Sequence, residues 1–314
     1  MKSFMKSLKE YIYEGSLNEG LLDRVKNKEV NHEILIEEFL KENYKIDGPY
    51  AIKTTDKGFV VDVRGYVEVA NENITSLTNG LFEFGVVSRK FDCSYCKSLQ
   101  SLKGAPKEVG GSFNCSKCRL LKTLEGAPKE VGGDFNCYGC DSLKTLEGAP
   151  KEVGDSFDCC YCPSLNSIEG APEKVKNNFY CNHCNSLRTL EGAPKKVGGE
   201  FVCSYCPSLI SLKGSPKEVG GNFDCSRCES LKTLEGAPKE VGGEFICSYC
   251  DSLISLKGAP QEVGGAFNCS HCKSLKTLEG APIKIRDQFS ATDCGKEFEK
   301  EDVKFIVRAS VIFI

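Results

Sequence analysis

The stretch that decides the fold is Phe113–Asp134, FNCSKCRLLKTLEGAPKEVGGD, one of nine near-identical units of 22 residues. These units fill residues 91–288 without an insertion, and a phenylalanine recurs at each step of 22 from Phe91 to Phe289. Strict spacing is typical of a solenoid, because each unit forms one coil and an extra residue would break the register of the stack. The sequence therefore predicts a repeat solenoid.

Within each unit, the apolar residues fall on a few fixed columns. We expect the phenylalanine and the first cysteine to point inward from a short strand, and the second cysteine to lie where the chain turns inward. Two leucines, the proline and a valine then line the remaining core. In the first unit these residues are Phe91, Cys93, Cys96, Leu99, Leu102, Pro106 and Val109. Every repeating apolar residue thereby has a place in one interior.

This register resembles that of leucine-rich repeat proteins, specifically the short, proline-containing bacterial type of 20–22 residues. The segment LKTLEGAPKEVGGDFNC, Leu121–Cys137, is similar to repeats of proteins encoded by large bacteriophages and giant viruses. The resemblance covers about residues 65–310. It implies a mainly β, right-handed coil with a parallel sheet on its concave face. It also implies a viral source and a recognition surface without a shared catalytic motif.

The flanks of the repeats differ from them and predict four segments. Residues 1–48 form a helical segment, 49–90 a β-hairpin cap with a degenerate first coil, 91–288 the nine repeats, and 289–314 a C-terminal cap. Apolar residues at helical spacing predict helices at Lys2–Tyr13 and about Asn31–Tyr44.

Shorter patterns in the two caps predict particular elements. Alternating valines on both sides of Arg64-Gly65 predict a hairpin there. In the C-terminal cap, Glu297–Arg308 is predicted to be helical and Ala309–Ile314 to be a strand.

Composition excludes several classes of function. The net charge of −3 gives no global basic field for nucleic acid. No apolar run reaches the length of a membrane span, and the first residues, MKSFMKSLKEYIYEG, are too charged for a signal peptide. We therefore expect a cytoplasmic location, in a host cytoplasm or a virion if the source is viral. There the 20 cysteines would be reduced or metal-bound.

The motif C-x2-C occurs nine times, and consecutive pairs are 18 residues apart, as in four-cysteine zinc sites. We favour a buried thiol core instead, because free cysteine packs as a small apolar residue. Four sulfurs could converge on one ion only if both coils were distorted, since neighbouring coils lie about 4.8 Å apart. We thus expect no metal and no cofactor. A zinc-stabilised, nucleic-acid-binding array remains the alternative.

The candidate binding site is a stripe of variable residues that we expect on the concave face formed by the strands. Its members are aromatic or basic, which suits anchoring of a protein partner and also a sugar or nucleic-acid strand. They are Tyr95, Lys117, Tyr138, Tyr161, Tyr180, His183, Tyr205, Arg227, Tyr249 and His271. The alternative is that these positions are merely solvated and weakly constrained. Cys160 is predicted on the same face, as a reactive thiol or an ordinary surface cysteine.

The sequence thus favours a non-catalytic scaffold that recognises an unidentified protein through its concave face. Two alternatives stay open: a structural or virion-packaged bacteriophage component, and the zinc-stabilised array. We expect no membrane contact and no nucleic-acid partner. The oligomeric state is left open.

Overall fold

The computed structural model describes residues 32–78, 80–304 and 311–314. In these residues the chain winds through two long sheets, and each coil adds one two-residue strand to each sheet. We call them the phenylalanine sheet and the valine sheet, after the buried residue of each strand. The predicted mainly β repeat solenoid is confirmed. The second sheet was not predicted, because a two-residue alternation of exposed glutamate and buried valine is too short to reveal a strand.

The strands, numbered β1–β25 in chain order, pair in parallel except for β1 with β4 and β2 with β3. The phenylalanine sheet contains, in spatial order, β1 (Tyr44–Asp47), β4 (Tyr66–Val69), β6 (Phe91–Asp92), β8 (Phe113–Asn114), β10 (Phe135–Asn136), β12 (Phe157–Asp158), β14 (Phe179–Tyr180), β16 (Phe201–Val202), β18 (Phe223–Asp224), β20 (Phe245–Ile246), β22 (Phe267–Asn268), β24 (Gln288–Ser290) and β25 (Val311–Phe313). The valine sheet contains β2 (Tyr50–Thr55), β3 (Gly58–Val63), β5 (Phe82–Val87), β7 (Glu108–Val109), β9 (Glu130–Val131), β11 (Glu152–Val153), β13 (Lys174–Val175), β15 (Lys196–Val197), β17 (Glu218–Val219), β19 (Glu240–Val241), β21 (Glu262–Val263) and β23 (Lys284–Ile285).

A column of stacked phenylalanine rings runs through the core. From Phe91 to Phe289 each ring stacks on the next, with centroids 5.1–5.8 Å apart and planes within 21° of parallel. All ten rings are fully buried. Burial of such a side chain contributes about 1.5–3 kcal/mol, and the strand register that aligns the rings is therefore strongly favoured.

The N-terminal end is closed by a helix and a hairpin. Helix α1 spans His32–Asn43 and buries one apolar face on the first coils. The predicted hairpin at Arg64-Gly65 is wrong. The chain there passes from β3 in the valine sheet to β4 in the phenylalanine sheet, and the hairpin is formed by β2 and β3. A side chain at Gly65 would collide with the carbonyl of Asp47, so only glycine fits this corner.

In the described part of the C-terminal end, helix begins later than predicted. A 3-10 helix spans Lys300–Val303, and residues 297–299 are not helical. Phe298, which precedes this helix, and Val303 within it are buried in the core, and β25 lies in the segment where a strand was predicted. The predicted helix Lys2–Tyr13 lies outside the described residues.

Candidate functional site

The variable stripe lies on a turn, and not on the strand face where it was predicted. Tyr95, Lys117 and their counterparts come three residues after each two-residue strand, and their backbone φ is between 54° and 61°. This left-handed conformation costs a non-glycine residue about 1–2 kcal/mol. Glycine would avoid that cost, and Gly139 occupies this position in one coil with φ 65°. The other coils keep a large side chain there despite the strain.

The turn is stabilised by the polar residue that ends the preceding strand. Asp92 Oδ1 accepts a hydrogen bond from the backbone N–H of Ser94 at 2.9 Å, and five further coils repeat the contact with asparagine or aspartate. Such Asx turns give the Asp and Asn residues that end the strands a structural role. The sequence indicates these turns, since Asp or Asn directly precedes the turn in these six coils.

The side chains on the turns stack on one another. His183 lies between Tyr161 and Tyr205, with ring centroids 4.2 and 4.3 Å apart and planes within 17° of parallel. The guanidinium of Arg227 then lies 5.1 Å from the ring of Tyr205 and 4.1 Å from that of Tyr249. These contacts combine aromatic stacking with cation–π attraction, each about 0.5–1.5 kcal/mol.

Both ends of this series continue across neighbouring coils. Tyr249 stacks on His271 at 4.4 Å, and His271 Nδ1 lies 3.5 Å from Asp293. At the other end, the side chain of Lys117 lies over Gly139, with its Nζ 4.3 Å from the ring centroid of Tyr138. The ring of Tyr138 lies 5.1 Å from that of Tyr161. We call the whole series the turn stripe: Lys117, Tyr138, Tyr161, His183, Tyr205, Arg227, Tyr249 and His271. It extends over about 34 Å, at ~4.8 Å per coil.

Stacking determines what the turn stripe can contact. The inner rings are covered on both faces, yet Tyr161 and Tyr205 remain 43% and 42% exposed. Their exposed parts are therefore ring edges and polar tips. Nucleobases or sugars need open ring faces for stacking. The turn stripe instead offers hydroxyl, imidazole and guanidinium groups in a fixed row.

Two predicted members lie outside the turn stripe. Tyr180 occupies the strand position of Asp92, where burial and the carboxylates of Glu200 and Asp158 raise the pKa of its hydroxyl. Tyr95 has the left-handed turn conformation and is 58% exposed, but it stacks on no other described ring.

The residues directly before the turn positions are partly or fully buried. Ser204, Ser248 and Ser270 are at most 7% exposed. Cys160 belongs to this column, and its predicted surface position is wrong: it is 6% exposed, and its thiol donates to Asn182 Oδ1 at 2.7 Å. Burial, together with Asp158, raises the pKa of Cys160, which opposes thiolate reactivity.

A groove of about 400 Å³ runs beside the central part of the turn stripe. One wall is His183, Tyr205, Arg227 and Tyr249, and the other is the column that follows the second cysteine: Asn185, Pro207, Glu229, Asp251 and Lys273. Lys273 Nζ is paired with Asp251 at 2.7 Å. A partner that contacts the ring edges would therefore also meet charges of both signs.

The second cysteines of the C-x2-C motifs from Cys118 to Cys272, together with Cys294, make a regular contact between coils. Cys118 Sγ donates to the carbonyl of Cys93 at 3.0 Å, and eight further cysteines donate to the preceding coil in the same way at 3.2–3.4 Å. Each of these thiols thus has a hydrogen-bond acceptor on the preceding coil.

The first cysteine of each motif lies deeper. Cys181, Cys203 and Cys225 are fully buried, and the loss of hydration raises the pKa of each thiol well above its ordinary value. Within the described residues, 32–78, 80–304 and 311–314, no three histidine, cysteine or carboxylate groups are arranged to hold a metal ion. The thiols therefore act as core side chains and weak donors in this geometry.

Comparison with known proteins gives one similar solved structure. It is a leucine-rich repeat protein from Bacteroides ovatus ATCC 8483, 14% identical, with a TM-score of 0.30 over 86% of this chain and 99% of that chain. No family model and no curated protein matches the chain.

None of the helices in the described residues has the length and apolar character of a membrane span.

Proposed function

We propose that the chain is a non-catalytic scaffold for protein recognition and that the turn stripe is its contact surface. The observation that carries this proposal is the stack of partly exposed tyrosine, histidine and arginine side chains from Tyr161 to His271, each on a left-handed turn. Retaining these residues at a conformational cost favours a role outside folding. Tyrosine and arginine are also the residue types that dominate binding energy at protein interfaces.

Rigidity supports the same function. A side chain held between two neighbours has little rotamer freedom left to lose, so a partner meets a preformed surface. The polar groups recur along about 34 Å and do not converge in one pocket, which suits an extended contact better than catalysis. A viral source, and a location in a host cytoplasm or virion, are what the sequence resemblance predicts for this scaffold.

The test replaces Tyr161, His183 and Tyr205 together by glycine. Gly139 shows that the turn accepts glycine, so the fold and the melting temperature should change little. We expect capture of protein partners from cells that naturally contain the chain to fall at least tenfold.

The matched control replaces Glu169, Glu191 and Lys213 by alanine. These residues are exposed and belong to the same three coils, away from the turn stripe. The control should capture partners like the unaltered chain. Undiminished capture by the glycine variant would refute the proposed contact surface.

A further inference from the structure

The outer side of the phenylalanine sheet is acidic and lacks counter-charge. The residues directly before and after each inward phenylalanine point away from the core, because side chains alternate along a strand. From β8 to β22 these positions hold no lysine, arginine or histidine, and they hold five carboxylates: Asp134, Asp158, Glu200, Asp224 and Glu244. None of the five forms an ion pair with a described residue. We call this side of the sheet, which extends over about 34 Å at ~4.8 Å per strand, the acidic face.

The charges of the acidic face act on a group within it and are not neutralised by the turn stripe. Burial, and then the carboxylates of Glu200 and Asp158, raise the pKa of the Tyr180 hydroxyl. Arg227 follows Asp224 in the same coil, but its guanidinium is stacked between two tyrosine rings of the turn stripe. The acidic face thus has no paired cation within the described chain. Such a surface attracts a basic partner and repels nucleic acid.

Three apolar side chains lie at the centre of the acidic face. Tyr180, Val202 and Ile246 are partly exposed and occupy the position that is Asp or Asn in six other coils. Their coils have the same left-handed turn without the Asx hydrogen bond. In these coils a side chain that would support the turn is replaced by one that offers apolar surface to a partner.

The acidic and apolar side chains form two parallel rows. Glu200 and Glu244 belong to the row before the phenylalanines, and Val202 and Ile246 to the row after them. The rows are about 6.8 Å apart, the length of two strand residues. An extended segment cannot match both rows, because its alternate side chains point to opposite sides. An amphipathic helix matches both, since it presents an apolar stripe with charged residues beside it.

We propose that the acidic face binds an amphipathic helix of a partner protein. The apolar stripe of that helix lies on Tyr180, Val202 and Ile246, and its ridge of lysine or arginine lies on Glu200 and Glu244. The strands from β12 to β20 cover about 19 Å, the length of about 13 helical residues. This inference rests on the proposed function and names the chemistry of the partner. The turn stripe borders the acidic face across the residues directly before the turns, so one partner can contact both.

The experiment uses the full chain and a fluorescent peptide of leucine and lysine, about 14 residues long, that forms a helix with one apolar and one basic face. Fluorescence anisotropy at about 0.15 M salt measures its binding. Two matched peptides carry glutamate in place of lysine or serine in place of leucine. We expect saturable binding of the leucine–lysine peptide and binding of the other two that is weaker by about tenfold or more.

Amide substitutions remove the charge of the acidic face and keep its shape. The variant E200Q/D224N/E244Q should bind the leucine–lysine peptide about tenfold more weakly, because three uncompensated carboxylates are lost. Its turn should persist, since Asn114 supports the equivalent turn in another coil.

The matched control is E147Q/E169Q/E279Q. It also removes three exposed carboxylates without an ion pair among the described residues, and they lie about half a coil away from the phenylalanine strands. This control should bind the peptide like the unaltered chain. The variant V202S/I246S, which keeps every charge, should bind it about tenfold more weakly through loss of the apolar contact.

Four results would overturn the inference. Equal binding of the lysine and glutamate peptides, or equal weakening by E200Q/D224N/E244Q and its control, would show that the acidic face does not select a basic helix. Self-association of the unaltered chain that E200Q/D224N/E244Q abolishes would assign the face to a second copy. Natural partners that are lost by the glycine variant of the turn stripe but kept by E200Q/D224N/E244Q would refute the acidic face alone and leave the proposed function standing.

Discussion

His183 and Tyr205 lie face to face, with ring centroids 4.3 Å apart and planes 17° from parallel, although both are on strained left-handed turns of neighbouring coils. The contact joins consecutive repeats outside the core. Each side chain of the inner turn stripe is thus held by its two neighbours, and removal of one side chain opens the stack on both sides.

Substitutions at His183 should separate the strain of the turn from the benefit of stacking. His183→Gly loses two ring contacts but gains the relaxed left-handed conformation, so the free energy of unfolding should change by no more than about 1 kcal/mol. His183→Val loses the contacts and keeps the strain, and it should be about 1–2 kcal/mol less stable than the glycine variant. Urea unfolding measures both values. A valine variant as stable as the glycine variant would contradict the strain at this turn.

Two serine substitutions should distinguish the roles of the paired thiols. Cys206 Sγ donates to the carbonyl of Cys181 at 3.4 Å, and a serine hydroxyl there can use the same acceptor. Cys203 is equally buried, and its thiol has no hydrogen-bond acceptor among the described residues. Cys203→Ser should therefore cost about 1–3 kcal/mol more than Cys206→Ser, because it buries an unsatisfied hydroxyl. Equal losses in urea unfolding would argue against this assignment.

The buried thiols should make stability fall in alkaline solution. The pKa of thiols such as Cys181 and Cys225 is raised in the fold, whereas the unfolded chain ionises near pH 8.5. Below about pH 8.5 both states keep their protons, and above it only the unfolded chain loses them. Each such thiol then lowers the free energy of unfolding by about 1.4 kcal/mol per pH unit.

Urea midpoints measured under reducing conditions from pH 7 to 10 test this effect. The decline should start near pH 8.5, about 1.5–2 units below the ordinary pKa values of tyrosine and lysine. A urea midpoint that stays constant up to pH 9.5 would contradict the expected loss of stability.

Chelation should leave the protein intact. The second cysteines donate to carbonyls of the preceding coil, as Cys228 does to Cys203 at 3.3 Å, and this contact needs no ion. We expect a negligible zinc content by mass spectrometry and the same melting temperature with and without chelator. About four zinc ions per chain and loss of the fold on chelation would favour the zinc array instead.

The repeat made much of the fold predictable. Because Phe113 and its equivalents recur every 22 residues, the sequence indicates the coil length and the buried columns. Where the pattern is short or irregular, prediction failed for physical reasons. The valines around Arg64-Gly65 alternate as in a hairpin, but the corner that Gly65 permits sends them to two different sheets.

The residue types of the candidate site could be predicted from the sequence, but their position could not: they lie on turns and not on the strand face. The stripe residues could be selected because they vary between otherwise constant repeats. Their left-handed backbone is present both in coils with an Asx turn, as at Asp92, and in coils without one, as at His183, and their stacking depends on the coil spacing. Neither follows from residue type alone. For the same reason the burial of Cys160 under the turn was not foreseen.

Site-specific photo-cross-linking of bound protein tests most directly whether the turn stripe is the contact surface. A benzophenone amino acid replaces either Tyr205, in the turn stripe, or Lys213, exposed in the same coil. Both variants are incubated with extract from cells that naturally contain the chain. We expect a discrete cross-linked protein at position 205 and none at 213. Cross-linking at 213 with none at 205 would contradict this expectation.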